Sequence, residues 1–328
     1  MLPLPERGLN RSVHKHNCAW GAIFDWVQGT VVLGQERVSK AAVADVLCDA
    51  GVYVSPETVD EVAEGTAVGS KQDLVNNAMD IVWIELGRRH HWLGGASPYA
   101  FSADWIEPSR PWDSVPAYAF CLLLALTEWY KGWNTAALGG SYNEQGSLFE
   151  RLSAESLTAH GWEVEIVGWS PTRPVHFADA VQQVAAFMRE EPRVNEPLIE
   201  LYRDNHELGL DLVCRRRFRD ERPSLPFFLV QCASGDWHEK AHTPDVDTWR
   251  EIVPFAAEPR RAFTMPFAFE SDDEFYRGAK RTHGVLIDRY RLLGVGKAEN
   301  EWVSAGLHAN LVEWVTPRVA SILAYDPA

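Results

Sequence analysis

Residues 227–230, Phe-Phe-Leu-Val, form an unbroken apolar run bounded by Pro226 on one side and Ser234-Gly235 on the other. That pattern predicts a strand buried on both faces in the middle of a sheet. Gln231 stands at the end of the run, where a side-chain amide must find partners or a metal ion. A second short apolar segment, Leu212-Val213, is opened by Asp211 and preceded by Gly209. Asp211 lies twenty positions before Gln231, a spacing that allows two adjacent strands of a hairpin to bring the carboxylate and the amide together.

The rest of the chain divides by period. Residues 38–48 carry apolar positions at helical spacing, with Ser39 as N-cap and Gly51 as stop. Over 73–89 the residues Leu74, Ala78, Ile81, Val82 and Leu86 fall on one helical face, with Gly87 marking the end. Residues 93–116 read as a loop rich in Gly, Ser, Pro and Trp. Residues 118–130, apolar nearly all round, predict a buried central helix. A Gly-Gly-Ser hinge at 139–141 separates a mainly helical domain, 1–140, from a second domain, 141–328. There, 146–161 predicts a helix, 162–167 an alternating edge strand, and 178–188 an amphipathic helix inserted between strands. Helices around 249–253 and 273–280 flank a strand over 261–269. The order helix, strand, hairpin, helix, strand predicts an α/β fold with a mixed sheet.

The chain has 328 residues, 46% of them hydrophobic and 11% aromatic, enough for two cores of ordinary size. Its longest apolar run, near 117–126, falls far short of the roughly 20 residues that span a bilayer, and the N-terminus lacks a signal-peptide pattern, so a cytoplasmic protein without a membrane partner is expected. The five cysteines form no CxxC pair, which argues against a zinc ribbon or a disulfide framework. The formal net charge of −15 excludes a protein that grips nucleic acid over a broad basic surface. Such binding must use a local patch, a metal or a partner subunit, and Arg215, Arg216, Arg217 and Arg219 are the one dense basic run. His14, His16, His90 and His91 lack acids or cysteines at metal spacing. The glycine pairs at 94–95 and 139–140 make neither a P-loop nor a dinucleotide fingerprint.

Asp211 and Gln231 side by side, with Lys240 nine positions beyond Gln231 on the first turn of a helix, describe a hard-cation site with a cationic neighbour. Each residue also has a plainer reading: Asp211 as a turn carboxylate, Gln231 as a satisfied buried amide, Lys240 as part of a solvated helix face, and the arginines as a solvated turn.

Leu148-Phe149-Glu150 on a helix, the segment Gly209-Leu210-Asp211-Leu212-Val213 and the strand ending in Gln231 together resemble the core of the PD-(D/E)XK, or restriction-endonuclease-like, nuclease superfamily, in the variant with glutamine in place of the second acid. The resemblance covers about 145–295 and is most specific over 209–240. It implies a restriction-endonuclease-like core and a Mg²⁺-dependent phosphodiesterase, with Mn²⁺ as an alternative metal. Asp211 would be the metal-binding acid, Gln231 the second ligand through its oxygen, and Glu150 the helix carboxylate supporting the metal or its water. Glu200 and Glu207 compete for that third place. The lysine usual two positions after Gln231 is Ala233 here, so the catalytic cation would be Lys240, projected back from the following helix. Arg215, Arg216, Arg217 and Arg219 would offer phosphate contacts. DNA is the expected substrate, an endonuclease the expected mode, and a bacterial defence or restriction system the expected setting, with a protein partner or a homo-oligomer controlling access. The alternative expectation, from another class, is a catalytically silent nuclease fold serving nucleic-acid binding or complex assembly.

Overall fold

The computed structural model describes residues 1–9, 20–52, 71–134, 142–167, 176–190, 195–202, 208–220, 222–235 and 237–326. His14, His16, Cys18, Glu207 and the hinge at 139–141 lie outside the described residues. The fold is mixed α/β, with a mixed sheet and a large helical part.

Five strands build the main sheet: β4 (Glu163–Ile166), β5 (Leu212–Arg215), β6 (Phe227–Cys232), β7 (Arg260–Thr264) and β8 (Val285–Ile287), in that spatial order. β4, β5 and β6 run antiparallel in turn, whereas β6, β7 and β8 are parallel. The apolar run of β6 is explained by this place: it is the central strand, with helices on both faces. β4 is an edge strand, and its four residues are all half-buried rather than alternately buried and exposed. β7 is shorter than the 261–269 expected. It ends at Thr264, and Pro266 has no N–H with which to extend the ladder.

One face of the sheet is covered by α5 (Tyr142–Ala159), whose Phe149 and Leu152 join Cys214, Val230, Cys232 and Ala262 in the largest apolar core. On the other face lies α6 (Phe177–Met188), followed by the short α7 (Glu196–Leu201). In α6, Phe177, Ala180, Val181, Val184, Ala185 and Met188 are buried at helical spacing against Val213, Leu229 and Trp249. Trp249 belongs to α9 (Val246–Ile252), which follows the single turn α8 (Trp237–Lys240). Then come α10 (Asp272–Thr282) and α11 (Arg289–Leu293).

The N-terminal half packs α1 (Trp20–Val32), α2 (Lys40–Asp49), α3 (Lys71–Leu93) and the wholly buried α4 (Pro116–Leu126). Ser39 caps α2 through a bond from the Ala42 amide. The C-terminal helix α12 (Ala305–Leu323) returns to lie on α4, with the Trp314 ring set edge-on to Phe120 at 4.7 Å. Three expectations change here. Residues 93–116 contain two strands, β2 (Tyr99–Phe101) and β3 (Trp105–Pro108), which form a small antiparallel sheet with β1 (Val38–Ser39). α3 runs on past Gly87, where any Cβ would meet the Phe101 ring at 2.9 Å, so this glycine admits β2 rather than ending the helix. The buried stripe of α3 is Val75, Ala78, Met79, Val82, Trp83 and Leu86, while Ile81 is 55% exposed.

The largest core runs from Leu2 to Ile322 and includes one face of the main sheet, so apolar packing crosses residue 140 without a break. Polar ties cross it too. Arg289 of α11 donates to Asp25 of α1 at 2.5 Å, Arg89 of α3 to the Phe269 carbonyl at 2.9 Å, and the Gly21 amide to Glu270 at 2.9 Å. Among the described residues no helix is long and apolar enough to cross a membrane.

Candidate functional site

The hairpin register pairs Leu212 with Val230, and one further step sets Asp211 opposite Gln231. The Asp211 backbone holds the strand mouth closed: its N–H donates to the Val230 carbonyl at 3.0 Å, and its carbonyl accepts from Val167 at 2.8 Å. Both side chains are buried, Asp211 at 6% exposure and Gln231 at 3%. They meet directly, Gln231 Nε2 donating to Asp211 Oδ2. The same oxygen accepts the Cys232 amide N–H at 2.5 Å. On the far side of the amide, the Thr243 hydroxyl donates to Gln231 Oε1 at 2.8 Å.

Gly209 makes this closeness possible. Its φ is +71°, and an added Cβ would lie 2.6 Å from Thr243 Cβ and 2.8 Å from Gln231 Oε1. No such close approach can be read from local sequence, and Thr243 itself, in the loop between α8 and α9, carries no periodic signal.

Glu150 arrives from the opposite face of the sheet on α5, half-buried. Burial pushes the Cys232 thiol far above its usual range, and the carboxylates of Asp211 and Glu150 add to the rise. Two further contacts fix α5 on this end of the sheet: Gln145 Nε2 donates to the Ser234 carbonyl at 3.1 Å, and the Ser153 and Thr264 hydroxyls meet at 3.0 Å.

Lys240 closes α8, and its backbone carbonyl accepts from the same Thr243 hydroxyl that reaches Gln231, at 2.8 Å. Its ammonium is exposed and forms no ion pair among the described residues. Beside α8, at the C-terminal end of β7, opens a cavity of about 450 Å³ lined by Trp237, His238, Met265, Phe267, Glu270 and Arg281 among others. Crevices at the carboxyl ends of strands are where open α/β sheets place ligands. Glu200 sits exposed on α7.

The arginine run goes elsewhere. Arg215 is four residues from Asp211 along β5, roughly 13 Å at the strand rise. Its side chain is buried, with Nε on Glu163 Oε2 at 3.0 Å and its guanidinium 4.2 Å over the Phe187 ring. Arg217 joins the same Glu163 oxygen at 2.6 Å. Burial works against ionisation of Glu163, but these hydrogen bonds, from Arg217 first and then Arg215, hold its carboxyl below the usual range. Arg216 lies over the Trp162 ring at 4.8 Å, and Arg219 is exposed.

The carboxylate of Asp211 and the amide oxygen of Gln231 are donor types a hard cation takes. In the hydrogen-bonded arrangement Gln231 turns its nitrogen to Asp211 and its oxygen to Thr243. Among the described residues there is no cluster of three or more His, Cys, Asp or Glu side chains that could hold a metal ion. In comparisons with known proteins, no family model, no curated protein and no solved structure matches this chain.

Proposed function

We propose that the protein is a metal-dependent nuclease of the restriction-endonuclease-like type, acting on DNA at the sheet end that holds Asp211, Gln231 and Glu150. The observation that carries the reading is the direct contact of Asp211, at the mouth of β5, with Gln231 on the central strand, with Glu150 on the covering helix near enough to act on the Cys232 thiol. The strand order supports it as well: a helix bearing the glutamate precedes an antiparallel meander bearing the aspartate and the glutamine, and a parallel strand follows.

Mg²⁺ held by Asp211 and Glu150 would neutralise charge developing on a phosphodiester and make a bound water acidic enough to attack it near neutral pH. Gln231 braces Asp211 in the arrangement described. A half-turn of its terminal amide keeps Thr243 as a hydrogen-bond partner and brings the oxygen beside the carboxylate as a third ligand. Lys240, whose backbone carbonyl bonds the same Thr243 hydroxyl and whose ammonium is exposed, would have to turn that ammonium towards the site to serve the transition state. The site would favour substrate-assisted metal binding, because an amide in place of an acid removes one negative charge.

The test is cutting of plasmid and linear DNA in Mg²⁺ or Mn²⁺ by wild type and Lys240→Ala. Metal-dependent cutting is expected, falling about 100-fold or more in the variant, the usual scale for losing one preorganised electrostatic group. A second reading, a silent nuclease fold that binds or assembles, is favoured by the exposure of Lys240 and by the bond between Gln231 Oε1 and Thr243. DNA binding with no cutting in either metal would carry it instead.

A further inference from the structure

At the other end of α5 the chain builds a second cleft that this activity does not use. Its volume is about 630 Å³, within the range of small-molecule sites. Glu150 and His160 are ten residues apart on or just beyond α5, about 15 Å at the helical rise, so this cleft is distinct from the Asp211 site.

Its lining is aromatic and cationic. Trp92, 41% exposed at the end of α3, leans on Tyr290 with ring centroids 5.7 Å apart. Trp162 carries Arg216 over its face at 4.8 Å, and Phe275 carries Arg291 at 4.4 Å. Both guanidiniums are exposed, and neither has a carboxylate partner within ion-pair distance among the described residues. Among the described residues the Arg216 guanidinium donates a long bond to the His160 carbonyl, 3.3 Å, and that of Arg291 a bond to the Leu286 carbonyl, 3.0 Å.

The acids in the cleft are already engaged. Arg88 binds Glu85 at 3.1 Å and Asp272 at 2.9 Å, and Arg89 adds a second bond to Glu85 at 3.1 Å. Asp288 is buried and accepts from the Arg291 amide at 3.0 Å. Burial pushes its carboxyl above the usual range, against the pull of that bond and of the arginines around it. The charge left for a ligand is therefore positive, on a protein of net charge −15.

Planar guanidinium forks match phosphate oxygens, and a partly exposed indole takes a base by stacking beside its guanidinium, Arg88 lying over the Trp92 ring at 4.9 Å as Arg216 lies over Trp162 at 4.8 Å. We propose that this cleft binds a nucleotide, its base against Trp92 or Trp162 and its phosphate between Arg216 and Arg291. The inference does not rest on nuclease activity. The same chemistry could come from a free mononucleotide or from the phosphorylated end of a strand.

The experiment is a calorimetric and tryptophan-fluorescence titration of the full chain in EDTA, with purine and pyrimidine 5′-monophosphates, a 5′-phosphorylated tetranucleotide, the bare nucleosides and inorganic phosphate. Saturable binding with fluorescence change is expected for a phosphorylated species, with nucleoside and phosphate each at least roughly tenfold weaker, about 1.4 kcal/mol. Arg216→Ala and Trp92→Ala, both at exposed positions, should each weaken it by a similar factor with the melting midpoint kept. Mononucleotide binding assigns a free ligand, and binding of the tetranucleotide alone assigns a strand end. The proposal fails if neither phosphorylated species binds saturably, or if both variants bind as tightly as wild type.

Discussion

Gln231 shows how far one residue can be read. A buried amide closing an apolar run has to be answered, and antiparallel pairing at hairpin distance answers it with Asp211 across the ladder. That contact was legible because a two-residue period and a strand register fix which side chains face each other. Thr243 was not, since a loop residue twelve positions on has no period to betray it. Arg215 was misplaced for a related reason: the last residue of β5 points inward like any alternate strand position, so it left the basic run for Glu163 and Phe187. Replacing Thr243 by Val keeps the volume and removes the hydroxyl that donates to Gln231 Oε1. Leaving a buried acceptor unpartnered costs about 1–3 kcal/mol, and denaturant unfolding should show that loss. Unchanged stability would mean that the amide finds another donor.

Elements were legible where one period runs long enough. α6 follows its apolar spacing from Phe177 to Met188, and the core of β6 matches its apolar run. β1, β2 and β3 escaped, because their two to four residues carry neither an apolar run nor a countable alternation, and β2 and β3 sit in a stretch rich in Gly, Ser, Pro and Trp. In α3 the expected positions Ala78, Val82 and Leu86 are buried, whereas Ile81, next to Val82 and so about 100° round the helix from it, is exposed. The helix with the clearest stripe also offers the clearest test. Phe177 is 1% exposed, with its ring 5.9 Å from Trp249 and 6.4 Å from Tyr202. Phe177→Ala should destabilise the protein by about 3–5 kcal/mol, the usual cost of emptying a core aromatic position. A loss below about 1 kcal/mol would show that α6 is not held by this face.

At the scale of the whole molecule, the largest apolar core extends across the expected boundary at residue 140, because α12 returns from the C-terminus to pack on α4 and the buried Arg289–Asp25 ion pair joins the halves. A local pattern carries no information about a helix that comes back from 180 residues away. Glu299 is one of these long-range ties: it accepts the Ala117 amide at 2.8 Å at the start of α4. Burial raises its carboxyl from 4.5 to about 7, against the hydrogen bonds from the amides of Ala117 and Tyr118. The folded state therefore holds this proton more tightly than the unfolded chain. The stabilisation is complete below about pH 4.5 and is lost as pH rises through about 7, a swing of about 3 kcal/mol. Glu299→Gln should flatten stability between pH 5 and 8, measured by denaturant midpoints; a variant with the wild-type slope would contradict this assignment. The same scale decides function. On the nuclease proposal, a molecule this acidic would have to cut DNA through one local, metal-loaded point centred on Asp211. The most direct measurement is the nicking of supercoiled plasmid by wild type and by Asp211→Asn, each in Mg²⁺ and in EDTA, with folding of both checked by circular dichroism. Cutting by wild type in Mg²⁺ alone, abolished in the folded variant, is the result expected. Equal cutting by the variant, or none by wild type in any metal, would contradict the account.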